Sequence, residues 1–337
     1  MSDSCVLPGF DATEAAAIAK RLFALEGPLQ QLDGERDLNF LIGDKGSRYV
    51  FKIANVDESP ALLECQHQVF ERLAEARVFP EVATARASVN GQLIETVYSK
   101  AGHEHVCRLM PYIEGRILAQ VDNPSPALLE DLGGRLARLD QALESFAHPA
   151  LERPLLWKMD NALDVLEAFK PLLTPQPRRD LVEFFEAGYR ERVLPRLGYL
   201  RRAVIHNDAN RANVLVDDAG ARVVSIIDFG DMVESWLVVE PAVAATYAML
   251  DRDEPVRVAA QVLRGYHAEL PLGSVEIDLA LDFICMRLCM SVCINTHQSA
   301  LEPDNRYLLT DVESIWQLLG ILRETDAAEA RAILAPE

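Results

Sequence analysis

The stretch "AVIHNDANRANVLVDDAGARVVSIIDFGDM", Ala203 to Met232, sets one His and five Asp among apolar residues. "HNDANRAN" leads into a short β-branched run, "NVLV", and a second run, "VVSIIDF", carries an acid near its far end. The turn signal Asp217-Asp218-Ala219-Gly220 joins the two runs, so they read as a hairpin. Two strands that only face a core have no need of carboxylates and amides gathered at their ends. A site that holds a metal ion and moves a proton does.

Asp208 and Asn213 are five apart, and Asp228 is fifteen further on. Phosphoryl transfer from a nucleotide calls for such a set: a carboxylate to orient the acceptor hydroxyl and take its proton, and oxygen ligands to hold Mg²⁺ against the phosphates. Mg²⁺ keeps several waters, so one Asp and one Asn amide oxygen are a sufficient protein share. A loop ending in a strand aims Asp208 and Asn213 at one point, and the returning strand brings Asp228 alongside. The order His-x-Asp-x4-Asn, apolar hairpin, Asp-Phe-Gly matches a kinase catalytic loop whose first Arg is replaced by Asn207.

The chain around this hairpin divides in two. "DATEAAAIAKRLFAL", 11–25, begins on a capping residue and has helical spacing. From Leu29 the pattern alternates, with turn signals at Asp33-Gly34 and Asp44-Lys45-Gly46, which predicts three antiparallel strands in two hairpins. A helix is predicted over 59–76, then strands in "QLIETVYS" and "HVCRLMPYIEG", so residues 29–113 read β-β-β-α-β-β. From Ser125 the pattern is mostly helical, with helices expected over 125–146 and around 160–170, 178–194, 236–250, 255–269, 275–297 and 305–323. The expectation is an α+β, two-lobed, protein-kinase-like fold. A small antiparallel-sheet lobe, 1–113, binds nucleotide, and a larger helical lobe, 114–337, carries catalysis and substrate. "PYIEG", Pro111 to Gly115, links them, and ligands usually bind in clefts between lobes.

The first lobe offers further candidates. Lys52 sits in the strand "RYVFKIAN" and is placed to reach nucleotide phosphates, and Glu64, early in the following helix, to pair with it, Glu71 being the competing partner. The hairpin that should cover the phosphates, "LDGERDLNF", has a single Gly34, with Arg36 and Asn39 as added donors.

The whole chain has 337 residues, is 50% hydrophobic and carries a formal charge of −19, with the acid excess heavier in the second part. Such a charge disfavours nucleic acid and anionic membrane as partners. The beginning lacks the pattern of a signal peptide. The stretch "LALDFICMRLCMSVCI", Leu279 to Ile294, contains Asp282 and Arg287 and is too short and polar to span a bilayer; it reads as a buried helix. The six Cys form no disulfide framework, so reduced thiols in the cytoplasm are expected. Cys285, Cys289 and Cys293 form a stripe at helical spacing, which reads as buried packing rather than a zinc site.

"VIHNDANRANVLVD" and "VSIIDFGDM" resemble the two catalytic motifs of the aminoglycoside phosphotransferase and choline kinase superfamily. "LDGERDLNFLI", "YVFKIAN", "RLMPYIEGRIL" and "IDFGDMVESWLVVEPAVAATYAML" look most like its hydroxylysine kinase branch, and the likeness runs in order through roughly residues 28–250. The resemblance implies Asp208 as catalytic base, Asn213 and Asp228 as Mg²⁺ ligands, and Lys52 at the phosphates paired with Glu64. It also places Arg108 to Ile113, Met110 and Tyr112 among them, near the hinge that holds the purine. It further implies GTP or ATP as donor and a hydroxylated amine as acceptor, with 5-hydroxy-L-lysine first and homoserine, choline, ethanolamine or an aminoglycoside behind it. "HND" stands where "HGD" is usual, and the phosphate hairpin is Gly-poor. Asp231 and Glu234 are candidates for a substrate ammonium. Arg287 is a candidate for an amino-acid carboxylate, or else a partner of Asp282 or another internal acid. His206 is expected to brace the loop. A different class, a nucleotide-binding scaffold without catalysis, draws only on the Gly-poor hairpin.

Overall fold

The computed structural model describes residues 8–32, 34, 37–44, 47–301, 303 and 311–336. The chain forms two units, one of residues 1–77 and 81–114, the other of 78–80 and 115–337.

In the first unit, helix α1 (Ala12–Phe23) starts on a capping box. Asp11 accepts the Glu14 backbone N–H at 2.9 Å, and the Glu14 carboxylate accepts that of Asp11 at 3.0 Å. Strands β1 (Leu29–Leu32), β2 (Leu38–Ile42) and β3 (Tyr49–Ile53) follow, then α2 (Pro60–Glu75), β4 (Glu95–Tyr98) and β5 (Glu104–Pro111). This is the β-β-β-α-β-β order read from the alternation. The sheet is antiparallel with order β1-β2-β3-β5-β4. Alternation gives it two faces. Phe40, Phe51 and Leu109, opposite one another on β2, β3 and β5, pack with Ala15, Ala19, Leu22 and Phe23 of α1. Asn39, Lys52 and Arg108 are likewise in register, and they fall on the other face. Of the two turn signals, Asp33, Lys45 and Gly46 lie outside the described residues, as does Arg36.

The second unit contains β6 (Arg116–Ile117), α3 (Pro126–Ala142), α4 (Ala162–Phe169) and α5 (Gln176–Arg192), then β7 (Arg202–Ile205), β8 (Val214–Val216), β9 (Val223–Ile226) and β10 (Val233–Trp236). It closes with α6 (Val239–Ala248), α7 (Pro255–Glu269), α8 (Ser274–Leu301), α9 (Val312–Glu324) and α10 (Ala327–Leu334). α3 is capped by Ser125, whose Oγ accepts the Leu128 N–H at 3.2 Å, with Pro126 in the first turn. α8 is apolar on all sides and buried from Leu279 to Ile294, so it is an axis against which α4, α5, α6, α9 and α10 pack. Cys285, Cys289 and Cys293 are buried in it with free thiols that burial pushes up. No helix among the described residues is long and apolar enough to cross a membrane.

Three features depart from the reading of the sequence. β7 pairs antiparallel with β10, and β6 adds to β8, neither of which was expected. The segment expected to begin a helix at 236 ends the strand β10 instead, and α6 starts at Val239. α10 is an additional helix, capped by Asp326, whose carboxylate accepts the Ala328 and Glu329 N–H groups at 2.9 and 2.8 Å. Part of the helix expected over 305–323 lies outside the described residues, and α9 begins at Val312.

Candidate active site

The loop from His206 to Asn213 leaves β7 and enters β8, and its own side chains close it. Asn210 Nδ2 donates to both oxygens of Asp208 at 3.1 Å. Asn213 Nδ2 donates to the Asp208 carbonyl at 3.0 Å and to its Oδ2 at 2.8 Å. Asn210 Oδ1 in turn accepts the backbone N–H groups of Ala212 and Asn213, at 2.8 and 3.3 Å. The Ile227 N–H donates to the Asn213 carbonyl at 2.9 Å, which brings the residue before Asp228 onto this loop. Asp208, Asn213 and Asp228 therefore belong to one backbone arrangement. Because Asn213 commits its NH₂ to Asp208, its amide oxygen points to the other side of the amide.

Two backbone conformations explain residue choices here. Asn207 has φ +66° and Asp228 φ +62°, in the left-handed region that Gly favours and Asn and Asp tolerate best among other residues. Asn207 thus holds a backbone conformation that Gly would adopt without strain. Its Nδ2 also donates to the carbonyls of Trp157 at 3.4 Å and Asp231 at 3.3 Å, contacts that Gly cannot make. Asp228 Oδ1 accepts the Gly230 N–H at 3.2 Å.

His206 is a brace. Its Nε2 lies 3.1 Å from the Ile227 carbonyl and donates to it, and Nδ1 accepts the Asp208 N–H at 3.2 Å, so the ring is neutral. Complete burial pushes its pKa down to about 4, against the pull of Asp228 and the Ile227 carbonyl. Beneath it Glu240, the second residue of α6, is fully buried, and Oε2 accepts the backbone N–H groups of both His206 and Asn207. Burial moves the Glu240 carboxyl up to about 7, although those two hydrogen bonds and Arg287 oppose the shift. Nothing in local spacing marked Glu240; its one signal was an acid inside the apolar run "WLVVEPAVAA".

Burial raises the Asp208 carboxyl well above the usual carboxylate range, and the charges of Asp231 and Asp228 add to it, while Arg287 and Asn210 pull it down. Asp208, Asp228 and Asp231 thus crowd negative charge and oxygen donors together. Oxygen donors of this type suit a hard cation better than a soft one. No group of three or more His, Cys, Asp and Glu side chains among the described residues is placed to hold a metal ion.

The Arg287 side chain is 1% exposed, and Nη2 donates to Asp208 Oδ1 at 3.5 Å. Asp282 is not its partner: residues five apart on a helix point roughly 140° apart, and Asp282 is held by Arg192 at 3.2 Å and Arg331 at 3.3 Å. Glu234 stands apart from this network. It is on β10, opposite Val204, and its carboxylate pairs with Arg202 at 3.0 Å.

In the first unit, Lys52 lies half-buried between Asn39 and Arg108 in the cross-strand row. A Cβ placed on Gly34 would come within 2.4 Å of Asn39 Nδ2, so the single Gly of this hairpin lets backbone rest on the Asn39 amide. Asn39 Oδ1 is buried with no hydrogen-bond partner among the described residues. Glu64 does not meet Lys52. It is exposed, as is Glu71, and no ion pair joins either to Lys52 among the described residues. The phase of α2 explains this correction: Ala61, Glu64, Gln68 and Glu71 form its solvent stripe, while Leu63, Gln66 and His67 turn inward. Gln66 is the residue that meets the row, accepting from Arg108 Nη2 at 2.7 Å. Met110 is buried on β5 opposite Val50, and the Arg48 guanidinium lies 4.5 Å from the Tyr112 ring centroid.

The phosphotransferase enzyme family matches residues 29–274. The hydroxylysine kinase of Mus musculus is 29% identical over 94% of this chain and 90% of its own length. That of Bos taurus is 28% identical over 94% and 90%. Among solved structures, a microcompartment-associated aminopropanol kinase superposes with a TM-score of 0.74 at 17% identity, covering 96% of this chain and 100% of that one. The amicoumacin kinase hAmiN, in complex with AMP-PNP, Ca²⁺ and Ami, gives 0.72 at 16% identity, covering 95% and 97%. These structures share the fold.

Proposed function

This chain belongs to the phosphotransferase enzyme family and is a small-molecule kinase, and from that premise we propose that it transfers the γ-phosphoryl group of GTP or ATP to the side-chain hydroxyl of 5-hydroxy-L-lysine. The observation that carries the reaction is the Asp208 carboxylate, half-buried, gripped by Asn210 and Asn213, and tied through Ile227 to Asp228. The choice of acceptor is supported by the hydroxylysine kinases that align along 94% of this chain.

In this reading Asp208 accepts a hydrogen bond from the acceptor hydroxyl and aims its oxygen at the γ-phosphorus. As the new P–O bond forms, the proton passes to Asp208, the bond to the bridging oxygen breaks, and the nucleoside diphosphate leaves. Asn213, through its amide oxygen, and Asp228 would hold Mg²⁺, which when bound screens the phosphate charge. Lys52 and Asn39 are assigned to nucleotide phosphates, Met110 and Tyr112 to the base. Asp231, whose charge is felt at Asp208, is assigned to the substrate ammonium. Catalysis is then mostly positioning and electrostatics.

The test is incubation of the purified protein with Mg²⁺, ATP or GTP in turn, and a panel of hydroxylated amines, with products read by mass spectrometry. A phosphorylated 5-hydroxylysine, absent with Asp208→Asn, is expected. Transfer only to another amino alcohol would replace the acceptor. Nucleotide binding with no transfer to any acceptor would overturn the catalytic reading.

A further inference from the structure

We propose that Arg287, at the centre of the buried helix α8, is the positioning residue of the catalytic carboxylate: it holds Asp208 in its reactive orientation and does not itself bind the acceptor. The inference rests on the assignment of Asp208 as base.

Every nitrogen of the Arg287 guanidinium is engaged within the chain. Nη2 donates to Asp208 Oδ1 at 3.5 Å, Nη1 to the Trp157 carbonyl at 3.0 Å, and Nε to the Tyr247 hydroxyl oxygen at 3.2 Å. The cation also lies 4.7 Å from the centroid of the Trp157 ring and 5.7 Å from that of Tyr247. The Tyr247 hydroxyl is oriented in turn. Ser291 Oγ donates to the Arg287 carbonyl at 2.9 Å, so at 3.2 Å it accepts from Tyr247, whose lone pairs then face Arg287. The hydrogen-bond directions around this ring of groups are all determined.

Two aspects separate this from ordinary core satisfaction. A buried guanidinium needs an acid, and α8 carries a nearly buried one, Asp282, but that acid is taken by Arg192 and Arg331. Arg287 instead reaches the loop, at the reacting residue and at the one before it. It touches Asp208 directly, and it shares the Trp157 carbonyl with Asn207 Nδ2, at 3.4 Å. Asn210 and Asn213 grip the same carboxylate from within the loop. With 1% of its surface exposed, Arg287 has no open edge to offer an amino-acid carboxylate in the way the sequence suggested. It opposes the charges of Asp228 and Asp231 at Asp208.

The experiment compares Arg287→Ala, Arg287→Lys and Tyr247→Phe with the wild type in steady-state transfer to the acceptor that the wild type uses. Arg287→Ala should lower kcat about 100-fold while leaving the acceptor KM nearly unchanged. Millimolar guanidinium ion, well below denaturing concentrations, should restore part of the lost kcat, and NaCl of equal ionic strength should not. Arg287→Lys and Tyr247→Phe should give smaller losses in kcat and carry the test if the Ala variant does not fold. A loss confined to KM would overturn the proposal in favour of direct acceptor binding. A lower Tm with no guanidinium rescue would overturn it in favour of a purely structural role. If the wild type transfers to no acceptor, the functional reading fails, and the crystal structure of Arg287→Lys decides this inference separately. Asp208 displaced from Asn210 would support it, and an unmoved Asp208 would overturn it.

Discussion

Asn213 donates through one nitrogen to the Asp208 carbonyl at 3.0 Å and to the Asp208 carboxylate at 2.8 Å. The residue assigned to the metal thereby sets the rotamer of the residue assigned to the proton. Asp208→Asn retains the shape of the side chain and removes its charge. It is expected to lower kcat by about 10³-fold while nucleotide affinity, measured calorimetrically, stays within the wild-type range. Equal turnover would place the base elsewhere.

Asn210 tests the geometry without touching the base. Its Nδ2 spans both Asp208 oxygens and its Oδ1 takes two loop N–H groups. Asn210→Ala frees the carboxylate to rotate and unties the turn, and kcat should fall about 100-fold. The urea midpoint should move only slightly, because the loop remains clipped by Glu240 and by the Ile227 N–H.

Acid should loosen the fold through His206. Its folded pKa is about 4 against 6.5 for the free side chain, so between those values only the unfolded chain takes the proton. Stability from this group is full above pH 6.5 and is lost as pH falls toward 4, by about 2 kcal/mol between pH 7 and pH 5. Glu240 slopes the other way: its carboxyl, raised to about 7, costs stability as pH climbs from 4.5 to 7. His206→Gln leaves only the second slope. Urea unfolding at the two pH values should therefore show the variant gaining on the wild type at pH 5. Parallel profiles would mean that His206 is not held neutral.

Gly265 and Gly133 let α7 and α3 cross backbone to backbone. A Cβ on Gly265 would lie 1.9 Å from the Glu130 carbonyl oxygen, and one on Gly133 would lie 2.0 Å from that of Val262. Neither obstacle is a flexible side-chain end. Gly265→Ala should destabilise by about 3 kcal/mol even though Ala is the better helix former by about 1 kcal/mol. Thermal unfolding measures it, and a rise in Tm would show that the helices are free to separate.

Local chemistry was enough for much of the architecture. Alternation and turn residues gave the strand-rich run with its inserted helix, and capping residues marked the starts of α1 and α3. The spacing of His206, Asp208, Asn213 and Asp228 singled out one hairpin. The helical phase of Ala61, Glu64, Gln68 and Glu71 was equally legible, and following it would have placed Glu64 in solvent. Strands of two to four residues such as β6, β7 and β10 carry too little alternation to declare themselves; they exist because a partner strand supplies their hydrogen bonds.

What the amino-acid sequence determined by itself was the set of elements and the residue types at their ends, because periodicity, caps and turns act over a few residues. Only the tertiary structure decided which buried charges meet. Arg287 and Asp208 are 79 residues apart, as the 3.5 Å contact between them records, and Glu240 reaches back 34 residues to the His206 N–H. Such pairings follow from how helices pack around α8. A buried ion selects its partner by that geometry and by the cost of being left alone, neither of which leaves a mark in local sequence.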